Sequence, residues 1–170
     1  MYFNQFPLYE YDFVGKGQEA KLVTDILRRV AIRSKVRTNA LTFDKYDVRD
    51  GETPEIVADL YYGSPEYHWV VILMNNITNW FDWPLDTVAY NKYLIDKYGD
   101  NIDATHHYEI NQTSGDTSIK LEVSSDTTGA SIVTNREYED RLQDEKRQIR
   151  LLDVSYLNLF VEEFKKIIKR

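Results

Sequence analysis

Three histidines, a few grouped carboxylates and one basic run are the residues of this 170-residue chain whose types suit a chemical site. His106 and His107 are adjacent in "HHYEI", which reads as a strand. Neighbouring side chains on a strand point to opposite faces, so the pair cannot jointly grip one metal ion without a bulge. His68 has Glu66 two residues before it and Ile72 four after, neither a usual ligand spacing, and reads as a surface or half-buried histidine. Asp100 with Asp103, and Glu137 with Glu139 and Asp140, lie in polar turn and charged helix. Those are solvated settings, and they lack the burial by which a catalytic carboxylate is retuned. Gly15-Lys16-Gly17 is too short for a phosphate loop. With no cysteine, disulfides, thiolate metal sites and cysteine nucleophiles are all excluded. The expectation is a non-enzyme with no catalytic residues, no metal and no cofactor. The basic run Arg28, Arg29, Arg33, Lys35 and Arg37 reads as a solvated face or as a dock for an acidic protein surface.

Such residues need a body to hold them, and the totals describe one. A chain that is 42% hydrophobic and 29% charged is globular, and 13 Tyr with 3 Trp suggest contact surfaces as well as core. The net charge of −7 is uneven: residues 51–134 carry 3 basic and 13 acidic side chains, against 9 and 7 before them and 9 and 8 after. An acidic middle repels a phosphate backbone, so nucleic acid is not an expected partner. No apolar run approaches bilayer-spanning length, and no membrane association is expected. "MYFNQFPLYEYDF" lacks the basic start and apolar stretch of a signal segment, so mature soluble protein is expected.

The aromatic first fifteen residues show neither helical nor strand period and are read as an extended arm. From Gln18, the spacing of Leu22, Val23, Ile26, Leu27 and Val30 predicts a short helix. "FDKYDV", 43–48, alternates as a strand running into the Asp50-Gly51 turn. Thr53 then caps a helix opened by Pro54 and stopped by Gly63, and Ser64-Pro65 opens a second whose Trp69 and following apolar residues belong in the core. Trp80, Phe81 and Trp83 fall in a turn before a third helix, from about Asp86 to Tyr98. "HHYEI", "SIKLEV" and "ASIVT" read as a small β-meander or projecting hairpin. From Asn135 the chain reads as helix. Tyr138, Leu142, Ile149, Leu152, Tyr156 and Leu159 form a narrow seam near a 3.5-residue repeat. A break is expected at Asp153, followed by a wider apolar face through Leu157, Phe160, Val161, Phe164, Ile167 and Ile168.

The stretch "VRDGETPEIVADLYYGSPEYHWVVILMNNI" resembles a LysM module, two helices on a two-stranded sheet, through Asp50, Gly51, Thr53, Ile56, Ala58, Tyr62, Gly63, Trp69, Asn75, Asn76 and Ile77. The second strand of that module does not follow where a sugar-binding member would place it. The longer series "YDVRDGETPEIVADLYYGSPEYHWVVILMNNITNWFDWPL", "DKYGD", "HHYEI", "IVTNREYEDRLQDEKRQIRLL" and "FVEEFKKIIK" resembles the baseplate wedge protein fifty-three family of contractile-tailed bacteriophages. The resemblance implies a structural subunit of the tail baseplate, located in the virion after assembly in the host cytoplasm. Its partners would be other wedge and hub proteins, with several copies per baseplate and the LysM-like part reused for packing. Glycan binding is then not expected; a peptidoglycan- or chitin-binding module, with Trp80, Phe81 and Trp83 as stacking rings, is the alternative.

The expected fold is therefore α+β, in four segments: a 1–42 arm with a short helix, a 43–100 LysM-like part with an added third helix, a 101–134 hairpin or meander, and 135–170 C-terminal helices. Partner contacts are assigned to Arg28, Arg29, Arg33, Tyr138, Leu142, Ile149, Leu152, Tyr156, Phe160 and Phe164.

Overall fold

The computed structural model describes residues 2–12, 15, 20–31 and 42–169. Among these are five α-helices and seven short strands, a mixed α+β chain. They divide into two compact units: Met1–Val48 with Glu52–Trp80 and Ile149–Arg170, and Arg49–Gly51 with Phe81–Gln148.

The first unit opens with a 3-10 turn, Tyr2–Gln5, and a hairpin of β1 (Leu8–Asp12) and β2 (Ala20–Thr24), with Leu8 opposite Thr24 and Asp12 opposite Ala20. The helix expected from Gln18 is thus corrected to a strand at Ala20–Thr24. Leu22 and Val23 fit a helical period, but backbone pairing with β1 outweighs so weak a periodic signal. Ile32, Arg33, Lys35, Val36 and Arg37 lie outside the described residues. The extended arm is corrected too: Phe6 is buried, and Tyr2 lies with its ring centroid 5.4 Å from that of Trp69. Tyr2 and Phe6 join the core, whereas Phe3, Leu8, Tyr9 and Tyr11 stay exposed.

β3 (Phe43–Asp47) precedes α1 (Pro54–Tyr62). Thr53 caps α1 by accepting from the Ile56 N–H, and Gly63 ends it in the left-handed region at φ 74°, where a side chain would be strained. A 3-10 turn at Pro65–Tyr67 leads into α2 (His68–Met74), whose Trp69, Val70, Val71 and Met74 are buried. The strand that pairs with β3 is β7 (Gln148–Leu152), from far along the chain. It is followed at once by α5 (Val154–Ile168), capped by Asp153 through the Ser155 N–H at 2.7 Å. Trp69, Val70, Met74, Leu152, Leu157, Phe164, Ile168 and Phe6 form one core. The Trp69 ring centroid lies 4.5 Å from that of Phe164 and 5.9 Å from that of Phe160.

The second unit holds α3 (Thr87–Tyr98), β4 (Thr105–Asn111), β5 (Lys120–Val123), β6 (Ser131–Thr134) and α4 (Asn135–Arg147). Asp86 caps α3 through the Ala89 N–H, and Thr134 with Glu137 forms a reciprocal capping box on α4. The sheet order is β5-β4-β6, all antiparallel, so β4 and β5 form the expected hairpin. It is not a meander, because β6 returns to the other edge of β4. The register slips between Thr105 and His107, an irregularity of the bulge type.

The helix expected to run from Asn135 to Asp153 is corrected: α4 stops at Arg147 and residues 148–152 are strand β7. Ile149 and Leu151 point inward while Gln148 and Arg150 are exposed, the two-residue period of a paired strand.

Candidate functional site

Short polar side chains at the ends of α2 and α4 do much of the positioning. Asn75, at the end of α2, donates from Nδ2 to the Arg150 carbonyl at 2.8 Å and to the Val71 carbonyl at 2.9 Å. The Arg150 N–H returns a bond to Asn75 Oδ1 at 2.9 Å. The amide thus pairs with Arg150 as an adjacent strand would, and fixes β7 to the end of α2. Its neighbour Asn76 takes a positive φ of 53°, the one non-glycine among the described residues to do so.

The LysM-like motif residues divide as follows. Thr53, Tyr62, Gly63, Trp69, Asn75 and Asn76 belong to the first unit, and Asp50 and Gly51 group with the second. There Asp50 Oδ1 accepts the Thr87 N–H at 2.8 Å, and bonding to Thr87 holds its carboxyl below the ordinary range. Gly51 turns the chain at φ 76°. Tyr62 is half-buried on the core, and burial raises its hydroxyl well above the usual tyrosine value.

Of the expected partner contacts, Ile149, Leu152 and Phe164 are interior. Tyr138 stacks on His106 with centroids 4.0 Å apart and planes at 10°. Leu142 and Phe160 are half-buried. Arg28 is engaged within the chain, 2.9 Å from Asp25 Oδ2 and 3.3 Å from the Ile168 carbonyl. Arg29 is exposed and Arg33 lies outside the described residues. Tyr156 remains at the surface, 45% exposed.

Leu159, in the expected seam, and Ile167, on the wider apolar face, are not among the expected partner contacts, yet they are 62% and 49% exposed. Tyr156, Leu159, Phe160, Glu163 and Ile167 follow at i, i+3, i+4, i+7 and i+11, one stripe of α5. The core takes a different stripe, Leu157, Phe164 and Ile168. The signal was available, because the apolar positions of α5 span an arc wider than one core contact needs. Trp80 and Phe81 are 69% and 68% exposed, whereas Trp83 is buried, so three co-presented stacking rings are not available.

The solvated setting expected for Glu139 is corrected, because the residue is buried. Its carboxylate accepts from Lys97 Nζ at 2.6 Å, from the Tyr98 hydroxyl at 2.7 Å and from the Tyr93 hydroxyl at 3.3 Å. Burial pushes its pKa up, but the bonds from Lys97, Tyr98 and Tyr93 and the ammonium charge outweigh that and hold it low. Lys97, bonded to the same carboxylate and to Tyr93, is shifted upward in turn. Glu109, also buried, receives both guanidinium nitrogens of Arg141, at 2.7 and 3.1 Å, and lies 3.5 Å from Lys120. The Arg141 bond lowers its pKa first, against burial. Both networks fasten α4, one to α3 and one to the sheet. Each carboxylate is matched by cations, which leaves neither in the state of a general acid.

Among the described residues no group of three or more His, Asp or Glu converges on a metal position, and no helix is long and apolar enough to cross a membrane. A shallow depression of about 450 Å³ is lined by Asn4, Gln5, Ser64, Glu66, Tyr67, Trp69, Val161 and Lys165. It holds no paired catalytic groups. Residues 1–121 match the family model described as base plate wedge protein 53. No curated protein matches the chain.

Proposed function

The chain belongs to the base plate wedge protein 53 family, and from that premise we propose that it is a non-enzymatic subunit joining wedge components around the central hub through protein–protein contacts. Its place in a phage tail baseplate follows from the family. The joining role is supported above all by the outer stripe of α5. There Tyr156, Leu159 and Ile167 keep large apolar area in water although the adjoining stripe of Leu157, Phe164 and Ile168 already fills the core. A largely apolar stripe, with Glu163 within it and Lys166 at its margin, suits a partner helix or groove. Arg29, Tyr156 and Phe160 stay in this proposed surface from the contacts expected on sequence. The interior Ile149, Leu152 and Phe164 pass their place to Leu159 and Ile167.

A LysM-like module reused for packing is part of the same proposal. β3, α1, α2 and β7 give a two-stranded sheet whose strands flank two helices in chain order. In this reading residues 81–148 are an insertion ahead of the second strand. Asp50, Gly51, Thr53, Tyr62, Gly63, Trp69, Asn75 and Asn76 serve it as turn, cap and core residues.

The double variant Leu159→Glu with Ile167→Glu tests the surface, because both side chains are exposed and the core stripe is untouched. It should keep the wild-type circular dichroism and melting temperature yet fail to enter the wedge when co-expressed with the other baseplate components. Wild-type incorporation of the folded variant overturns the proposal.

A further inference from the structure

We propose that His106 and His107 form a two-imidazole site for a divalent transition cation, Cu²⁺ or Ni²⁺. On a regular strand the two rings would diverge. The irregularity between Thr105 and His107 instead brings Nδ1 of one to 2.8 Å from Nδ1 of the other, with ring centroids 5.0 Å apart. Re-aiming a side chain in this way is a recognised effect of a strand bulge.

The orientation of each ring is fixed from outside the pair. His106 lies flat on Tyr138, which leaves the edge of its ring open to solvent. His107 Nε2 lies 4.0 Å from Glu109 Oε2, beyond hydrogen-bond distance but close enough for the carboxylate to favour a hydrogen or a positive charge on that side of the ring. Glu109 is itself held by Arg141 and Lys120, so it acts as a positioning residue and not as a third ligand.

The donor type selects the cation. The 2.8 Å separation is a hydrogen bond between the rings in the cation-free chain, and the rings must turn slightly for both nitrogens to face one ion. Imidazole nitrogen suits Cu²⁺, Ni²⁺ and Zn²⁺, and at a given nitrogen site affinity rises through Ni²⁺ to Cu²⁺ and falls again at Zn²⁺. Without a cation, one Nδ1 donates its hydrogen to the other. On binding, that hydrogen moves to Nε2 of the same ring, both lone pairs turn to the metal beside the N–N line, and water completes the coordination. No net proton leaves a neutral pair.

Cu²⁺ titrated into the full chain near neutral pH, followed by calorimetry and electron paramagnetic resonance, tests the site. One ion per chain with a two-nitrogen signal is expected, bound more tightly than Zn²⁺. His106→Gln and His107→Gln should each weaken binding by about 10-fold or more. His68→Gln removes the one other histidine and should leave binding unchanged. Absence of saturable binding, tighter Zn²⁺ than Cu²⁺ binding, or affinity indifferent to both substitutions overturns the proposal. Should either substitution unfold the sheet, Cu²⁺-induced broadening of the wild-type amide spectrum decides. Broadening centred on residues 105–108 and Tyr138 supports the site, and broadening elsewhere removes it.

Discussion

Replacing Asn75 tests whether a single amide holds β7 in the first unit. Asn75→Ala deletes two donated bonds and one accepted bond, two of the three shared with the backbone of Arg150. A protein hydrogen bond contributes about 0.5–1.5 kcal/mol net, and Asn75 is only half-buried, so water recovers part of the loss. A destabilisation of about 2 kcal/mol is expected, which for a chain of this size lowers the melting temperature by about 4–8 °C. Asn75→Asp separates this account from a simple packing loss. The carboxylate still accepts from the Arg150 N–H but sets negative charge against the Val71 and Arg150 carbonyls, so at neutral pH it should be less stable than the alanine variant. In acid, the introduced carboxyl group takes up a proton and regains one donor, and the gap between the two variants should narrow. Urea melts of both variants at neutral and acid pH read these differences. An alanine variant within about 0.5 kcal/mol of wild type, or an aspartate variant more stable than alanine at neutral pH, refutes the reasoning.

Trp69→Ala removes the ring at the centre of the Tyr2, Phe160 and Phe164 cluster and should cost about 3–5 kcal/mol by chemical denaturation. Glu109 and Glu139 are both held at lowered pKa in the fold, so their stabilisation is present above the unfolded value of about 4.3 and is lost as pH falls through the folded values. Melting temperature should therefore decline in acid, and Glu109→Gln should be less stable at neutral pH with a flatter acid limb. A chain truncated after Asn135 lacks β7 and α5, which supply Leu152, Leu157, Phe164 and Ile168 to the core, and should lose cooperative unfolding by calorimetry.

The elements legible in the sequence are those whose signals are local. Thr53, Ser64, Asp86 and Asp153 cap the turns and helices they precede, and Gly63 stops α1, because a cap is made within a few residues of its own position. The three strands of 105–134 are likewise bounded by turn residues that act in place. Pairing is what escaped. β2 is a strand because β1 lies beside it, and nothing within Ala20–Thr24 distinguishes that from one face of a short helix. Glu139 is buried because Lys97, Tyr93 and Tyr98 reach it from α3, a set of partners some 40 residues away that no local charge pattern reveals.

The segment Gln148–Leu152 shows how a true signal is misread. Ile149 and Leu152 stand three apart, in step with Tyr138 and Leu142, and a seam traced through them reads as one long helix. Leu151 breaks that seam. It is fully buried, and in a helix it would sit well around the circumference from the seam line. Ile149 and Leu151, alternating with exposed Gln148 and Arg150, are instead the inward set of a strand. The same shift moves the assembly surface proposed for the C-terminal part. As one helix, Ile149 and Leu152 would face a partner; as strand β7 they are interior, and α5 is tied to the core at its first turn. The surface proposed for assembly is then the stripe that the core does not use, Tyr156, Leu159 and Ile167, on a helix anchored to the core through Leu157, Phe164 and Ile168. Anchoring of that kind lowers the entropy lost on docking, so a short apolar stripe can contribute to a specific contact.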